Sequence, residues 1–535
     1  MVLQIYDYAQ MFDSINLKKA VSDIYDAGLQ DDNLALLHEA NKNVNMAVNT
    51  PSGISERQII KNNVLQGDTF GSLMASVQVD TIGKACVDSG FGYKYKDSLV
   101  VSLLGMVDDM IGVTEAGYKA QQMNALINTK TAEKGLQFGV TKCKSMVVGK
   151  DTEDVLFTDL TVDKWSTFHS YDSETGEDVL EEVYEGPVTI ERTEQQKYLG
   201  FVLSSKGDNM VNINCMKMKA KGIIRRIFSK LESLNLQKYY FECAMVFMNT
   251  MLRSSILYGC ETYYNLKEGE IRQLERIEEG FLRELLKTSK GCPIAQLYLE
   301  VGQAPARYEI IKIRLLFLKY ILNQSKESLV SKFLEIQMET AAKGDWISIC
   351  IENLKELRIN ETLEEIEKMS HYKFKKLLNE RTKNAALIYL TNKQGIKGHE
   401  IKYSDLQMSD YLLPNSQDMT INVKRKIFAM RNMMTNIPAN FSSSKIIHKC
   451  VCGDNEEMKH IYTCSMLNSE KPMVEYENIH SNKNKMMKEV YKRFEVNLEK
   501  REQIMNENKL KMEQKELSPH AIHHSDPLYS VYSNG

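Results

Sequence analysis

Three aspartates and a cysteine–histidine group are the residues of this 535-residue chain whose types and spacing suit chemistry. Asp7 follows the apolar run VLQIY (2–6). Asp108-Asp109 interrupts a longer one, LVVSLLGMV (99–107), before Met110, Ile111 and Val113 resume it. Read as strands, these runs set one carboxylate at a strand end, facing a pair at the tip of a neighbouring hairpin. Such oxygens suit paired Mg²⁺ or Mn²⁺ ions, which two-metal sites hold about 3.5–4 Å apart. An Asp-Asp dipeptide is also what a solvated turn contains, so the pair takes its meaning from its surroundings. Far along the chain, Cys450, Cys452, His460 and Cys464 are spaced C-x-C-x7-H-x3-C, with Gly453 just after the second Cys. Three thiolates and an imidazole make a tetrahedral Zn²⁺ ligand set. The C-x-C step is tighter than the common C-x2-C, His448 is a substitute ligand, and the alternative is a set of cysteines scattered in a helical core.

The elements that must position these residues follow from periodicity. LKKAVSDIYDAG (17–28) puts Leu17, Ala20, Val21 and Ile24 on one helical face, with Gly28 as its stop. A polar loop covers 50–66, a helix 70–85, the aspartate hairpin 99–113, a second helix about 115–135 and a strand Lys144–Val148. This order predicts an α+β fold in which helices pack on one face of an antiparallel sheet. Segment 172–194 carries nine Asp/Glu against Arg192 alone, whereas 206–230 carries seven Lys/Arg against Asp208 alone. From about 210 to 390 the pattern is amphipathic helix, as in Ile271, Leu274, Ile277, Phe281 and Leu285. Residues 483–516 read as a solvated charged helix, and 517–535 as a disordered tail. The expected organisation is 1–150, 151–207 (an acidic hairpin and a tight turn), 208–330, 331–440, 441–470 (the cysteine module) and 471–535.

Composition narrows the class. A net charge of −3 excludes a uniformly basic nucleic-acid binder while leaving room for local patches. Apolar runs of about nine residues fall well short of a membrane span. The opening MVLQIYDYAQMFD lacks a signal peptide's basic start and apolar stretch, and ten cysteines are too sparse for a disulfide scaffold. A nuclear or cytoplasmic protein, neither secreted nor membrane-bound, is expected.

Five segments taken in order carry a family resemblance: DYAQMFDSIN (7–16), VLQGDTFGSL (64–73), GMVDDM (105–110), GLQFGVTKCKSMVVG (135–149) and KYLGFVLSSKG (197–207). Together they resemble the palm motifs of reverse transcriptases, most closely those of non-LTR retrotransposons. ILYGCETYYNL (256–266) and LERIEEGFLRELL (274–286) are similar to the helical region that follows the polymerase there. The resemblance implies an RNA-directed DNA polymerase acting on an RNA template, a DNA primer and dNTP. Its fold would be a palm, then an all-helical thumb and connection, then a zinc knuckle thought to contact nucleic acid. Asp7 and Asp108 would be the metal-binding carboxylates and Asp109 their more peripheral neighbour. Phe12 would be the aromatic gate beneath the sugar, or simply a core ring. Gln66 and Gly67 would approach the template and the incoming base. Lys142 would stand near the triphosphate, or be a surface lysine. Lys217, Lys219, Lys221, Arg225, Arg226 and Lys230, on a helix after the Tyr198-Leu199-Gly200 turn, would grip phosphates, or form an ordinary charged face.

Four departures qualify this reading. Met106-Val107 stands where the family has an aromatic and Ala, Gln10-Met11 replaces Lys-Ala, and Gly139 replaces Asn. Only six residues precede Asp7, so the fingers are expected to be missing, as in a truncated copy or a fragment, and no endonuclease motif is apparent. A catalytically inactive, retroelement-derived nucleic-acid-binding protein is therefore the alternative expectation.

Overall fold

The computed structural model describes residues 1–60, 64, 70–96, 98–115, 117–149, 160–172, 177–263, 266–340, 342, 344–394, 401–414, 416, 419–435, 448–467, 474–480 and 484–516. Two compact units are present: Met1–Cys215 with Gln324–Ala342, and Met216–Asn323 with Lys343–Gly535.

The first unit is α+β. Its five-stranded sheet has the order Glu191–Arg192, Lys144–Val147, Val2–Tyr6, Asp109–Thr114, Leu103–Met106. Every pairing is antiparallel except that of Lys144–Val147 with Glu191–Arg192, so the sheet is mixed rather than purely antiparallel. The central strand alternates with period two. Val2 and Tyr6 join the core made by helices Leu17–Asp26, Gly71–Asp88 and Gly117–Lys134, while Ile5 faces the opposite side with Ile111 and Val113. That opposite side is itself covered, by Tyr93, Tyr198, Leu203 and the helix Leu329–Thr340. The expectation of helices on one face is corrected accordingly: both faces are largely hydrophobic, in keeping with a strand that is apolar on both sides apart from Gln4.

Local signals hold the helices in place. The Asn16 side chain accepts from the Lys18 and Lys19 amides as an N-cap, and Gly28 follows at φ 108°. Two buried polar side chains of the central strand are partnered, whereas the buried hydroxyls of Thr114 and Ser145 on its neighbours have no hydrogen-bond partner among the described residues. Gln4 Nε2 donates to the Ala120 carbonyl (2.9 Å), and the Tyr6 hydroxyl lies 2.7 Å from Asn124 Oδ1. The acidic segment is a two-stranded ribbon, Thr161–Asp172 against Glu177–Thr189, closed at its base by Ile190 N donating to Leu160 O (2.7 Å).

The second unit is helical. Helix Glu268–Leu286 buries Leu274, Ile277, Phe281 and Leu285 on one face, as its periodicity predicts, with Ile271 half-buried. Its other inward groups are charged and paired: Glu278 accepts from Arg253 Nε (2.7 Å), Tyr298 Oη (3.0 Å) and Ala306 N (2.9 Å). Glu300 meets Arg431 Nε at 2.9 Å with both side chains buried. Helix Asn484–Glu516 is not simply solvated, since Met487, Val490, Tyr491 and Phe494 are buried. Among the described residues no helix is long and apolar enough to cross a membrane. The tail 517–535 lies outside the described residues.

Candidate catalytic and metal sites

The two aspartate-bearing strands are neighbours, and their pairing ends at Tyr6 opposite Met110. One step further the same register sets Asp7 beside Asp109, about 4.8 Å away strand to strand. Met106 pairs with Asp109, so the hairpin loop is Val107-Asp108 and Asp109 is the first residue of the returning strand. Only Asp108 occupies the tip. Val107, the first loop residue, has φ 60°, a left-handed conformation that a β-branched residue rarely adopts. The hairpin is pressed by helix Gly71–Asp88, because Gly105 leaves room for Val79: a Cβ at 105 would lie 2.6 Å from Val79 Cγ1.

Asp7 is fixed by the segment before Lys144–Val147. Its carbonyl accepts from Gly139 N (2.8 Å), and its Oδ1 accepts from Lys142 Nζ (2.9 Å). A Cβ on Gly139 would stand 3.0 Å from Asp7 Oδ1, so a residue with no side chain gives the carboxylate its space.

Electrostatics reflect the crowding. Burial, then the charges of Asp108 and Asp7, raise the Asp109 carboxyl above its ordinary range, and Lys142 opposes the shift. Lys142 is raised by its hydrogen bond to Asp7 and by that residue's charge. A neglected contributor is Tyr198, whose hydroxyl donates to the Asp109 carbonyl (3.4 Å); burial and the Asp109 charge push it up to about 12. Tyr198 sits in the hairpin Gln195–Tyr198/Phe201–Ser204, turned by Leu199 (φ 47°) and Gly200 (φ 82°). Positive φ at both loop residues fits a type I′ turn.

Asp7, Asp108, Asp109 and Lys142 are thus gathered at one end of the sheet. Phe12, in the short helix Met11–Ser14, packs half-buried against the helical core, and its carbonyl accepts from Val64 N (3.2 Å). Gln66 and Gly67 lie outside the described residues. Lys217, Lys219, Lys221, Arg225, Arg226 and Lys230 are all exposed on helix Asn209–Ser233, opposite the buried Met216, Ala220, Ile227 and Leu231.

Cys450, Cys452, His460 and Cys464 converge, their ligand atoms all within 4.8 Å of one another; His448 is not part of the group. Cys450 Sγ lies 3.9 Å from Cys464 Sγ, and Cys452 Sγ lies 3.1 Å from His460 Nε2. Two thiolates on one tetrahedral Zn²⁺ at 2.3 Å each would be about 3.8 Å apart, so the cluster fits such an ion. The tight C-x-C step is accommodated by a turn in which Gly453, at φ 93°, donates to the Cys450 carbonyl (2.9 Å), and Cys450 N donates to Asp454 O (2.9 Å). Helix Met458–Thr463 carries His460 and ends at Cys464. Compared with protein-family models and with curated proteins, the chain matches none.

Proposed function

We propose that this chain is the palm-and-thumb part of an RNA-directed DNA polymerase of the non-LTR retrotransposon kind. The observation that carries the reading is the convergence of Asp7, Asp108 and Asp109 from two paired strands, with Lys142 hydrogen-bonded to Asp7. The Asp109 carboxyl is raised first by burial and then by the charges of Asp108 and Asp7, so part of the shift comes from the carboxylate crowding that a divalent cation would relieve. Asp7 and Asp108 would hold Mg²⁺ or Mn²⁺, which when bound acidifies the primer 3′-hydroxyl and neutralises the leaving pyrophosphate.

The reaction is in-line attack of that hydroxyl on the α-phosphate of a dNTP, and the residues contribute position and field rather than a nucleophile. Lys142, mostly exposed, is a mobile ammonium able to leave Asp7 for a triphosphate oxygen. Tyr198 steadies the backbone of Asp109. The exposed basic side chains of helix Asn209–Ser233 suit template–primer phosphates. Cys450, Cys452, His460 and Cys464 would hold Zn²⁺.

The test is primer extension on an RNA template with Mg²⁺ or Mn²⁺, comparing the chain with Asp108→Ala. Incorporation that requires Asp108 supports the polymerase; equal signal from both proteins refutes it. A second reading, a catalytically inactive nucleic-acid-binding protein, rests on the exposed basic helix together with the cysteine module. It expects salt-sensitive RNA or DNA binding that is indifferent to Asp7 and Asp108.

A further inference from the structure

The cysteine module is not a free appendage. Glu456, in the turn between Cys452 and His460, is buried and accepts from Arg501 Nη2 (2.6 Å) and Nε (3.2 Å) of helix Asn484–Glu516. Asn497, also buried, donates its Nδ2 to the carbonyls of Ile461 (2.8 Å) and Tyr462 (3.2 Å). Arg493 Nε reaches the same Tyr462 carbonyl (3.2 Å) with its guanidinium over the Tyr462 ring. The acceptors come from the backbone that carries His460 and runs into Cys464, so ligand geometry and docking geometry are set by one helical turn. The long helix in turn lies against Ile421–Arg431, where Lys426 pairs with Glu495 and Arg431 Nη1 lies 3.5 Å from Met487 Sδ.

Little else holds the module in shape. Segment 448–467 contains one isolated β-bridge, Lys449–Asn455, and one six-residue helix. So small a body has no core of its own and folds on its metal. The helix it meets is 33 residues long, and among its described side chains the buried apolar ones lie in the first third.

We infer that the metal held by Cys450, Cys452, His460 and Cys464 is a structural lock: by ordering the turn at Glu456 and the carbonyls of Ile461 and Tyr462, it fastens helix Asn484–Glu516 to the helical unit. This rests on the zinc reading above and assigns the site a role other than touching nucleic acid. The recognition is between the metal-ordered module and Asn497 and Arg501, not between the module and a phosphate backbone.

The test uses the full chain with bound zinc measured by mass spectrometry and amide exchange followed before and after removal of the metal with a strong chelator. Expected is at least a tenfold acceleration of exchange over residues 486–501 in step with 448–467, while residues 2–6 and 109–114 keep their rates. The variant Arg501→Met is expected to accelerate 495–505 with zinc content unchanged, which separates docking from metal binding. Zinc present, with 486–501 indifferent to its removal, overturns the lock and leaves the metal site standing. No bound metal in the purified chain, and none taken up on adding Zn²⁺, overturns both.

Discussion

Lys142 and Asp7, separated by 135 residues, meet at 2.9 Å across the end of the sheet, ammonium to carboxylate. A positive charge from the protein thus stands where a divalent ion would take its first ligand. Replacing Lys142 by Met is expected to tighten Mn²⁺ binding about two- to fivefold, the scale of one exposed ion pair. The same change is expected to reduce dNTP incorporation by about 100-fold through loss of a proton donor or charge stabiliser. Titration calorimetry and primer extension read the two effects separately, and a parallel loss in both would contradict the exchange.

Asp109 makes a pH-dependent prediction. Its carboxyl is raised by burial and by Asp108 and Asp7, so between its unfolded and folded values the native state holds the proton more firmly. Stability contributed by that proton is present at low pH and lost as pH rises through the raised folded value. Asp109→Asn is therefore expected to raise Tm at pH 7, with the gain vanishing below about pH 4 where the unfolded carboxyl is also protonated. Mg²⁺ should raise the wild-type Tm at pH 7 and do less for the variant.

The approach of Val79 to Gly105 can be examined by a double-mutant cycle. Gly105→Ala is expected to destabilise by about 1–3 kcal/mol, because its Cβ falls inside the van der Waals envelope of Val79. In a Val79→Ala background the same change should cost much less. Urea midpoints of the four proteins give the coupling; additive losses would mean the helix and hairpin yield independently.

Glu300 and Arg431 form a buried pair that is worth little as a pair but costly to break one member at a time. Glu300→Leu or Arg431→Met alone is expected to destabilise the helical unit by about 3–5 kcal/mol by stranding a charge. The double variant should recover most of the loss. Thermal unfolding monitored at the helical signal distinguishes recovery from simple addition.

For the basic helix, Lys219→Ala or Arg226→Ala should lower RNA affinity without regard to sequence. Each should also reduce the slope of log K against log salt by about 1 if the side chain neutralises a phosphate. An unchanged slope would make these residues an ordinary solvated face.

Part of the aspartate site was readable because apolar runs name strands directly, and 2–6 is one strand. The run 99–113, however, is not one buried hairpin: Leu99–Val101 pairs with Tyr93–Tyr95 in a separate ribbon, and Val100, Leu104 and Met106 are exposed. Only Leu103–Met106 and Asp109–Thr114 form the aspartate hairpin, whose register leads Asp7 toward Asp109. The division of Asp108 from Asp109 was not readable, because the turn is centred on Val107, a residue whose side chain disfavours the conformation it adopts. The close approach of Gly139 to the Asp7 carboxylate was not readable either, because no local pattern encodes a contact across 132 residues. The second sheet face was hidden for the same reason, since its cover, Leu329–Thr340, is supplied from far along the chain. By contrast, Met487, Val490, Tyr491 and Phe494 follow i, i+3, i+4, i+7 spacing. That stripe was present in the sequence but masked by the surrounding charge. In the cysteine module the spacing named the four ligands, whereas the docking of Glu456 on Arg501 needed coordinates.

The acidic ribbon leaves the sheet at Leu160 and returns at Ile190, where one backbone hydrogen bond of 2.7 Å joins the two ends. At its base Val162 still belongs to the core, and the Thr161 carbonyl accepts from Asn124 and Asn128. The described ribbon beyond them is an excursion whose two ends are already stapled together. Its length is therefore nearly free for selection to alter, because closing a loop twice as long adds only about 0.6 kcal/mol of entropy. A longer, shorter or different ribbon is compatible with Lys144–Val147 and Glu191–Arg192 staying paired. An engineer wanting a permissive insertion point in this chain would choose the same place.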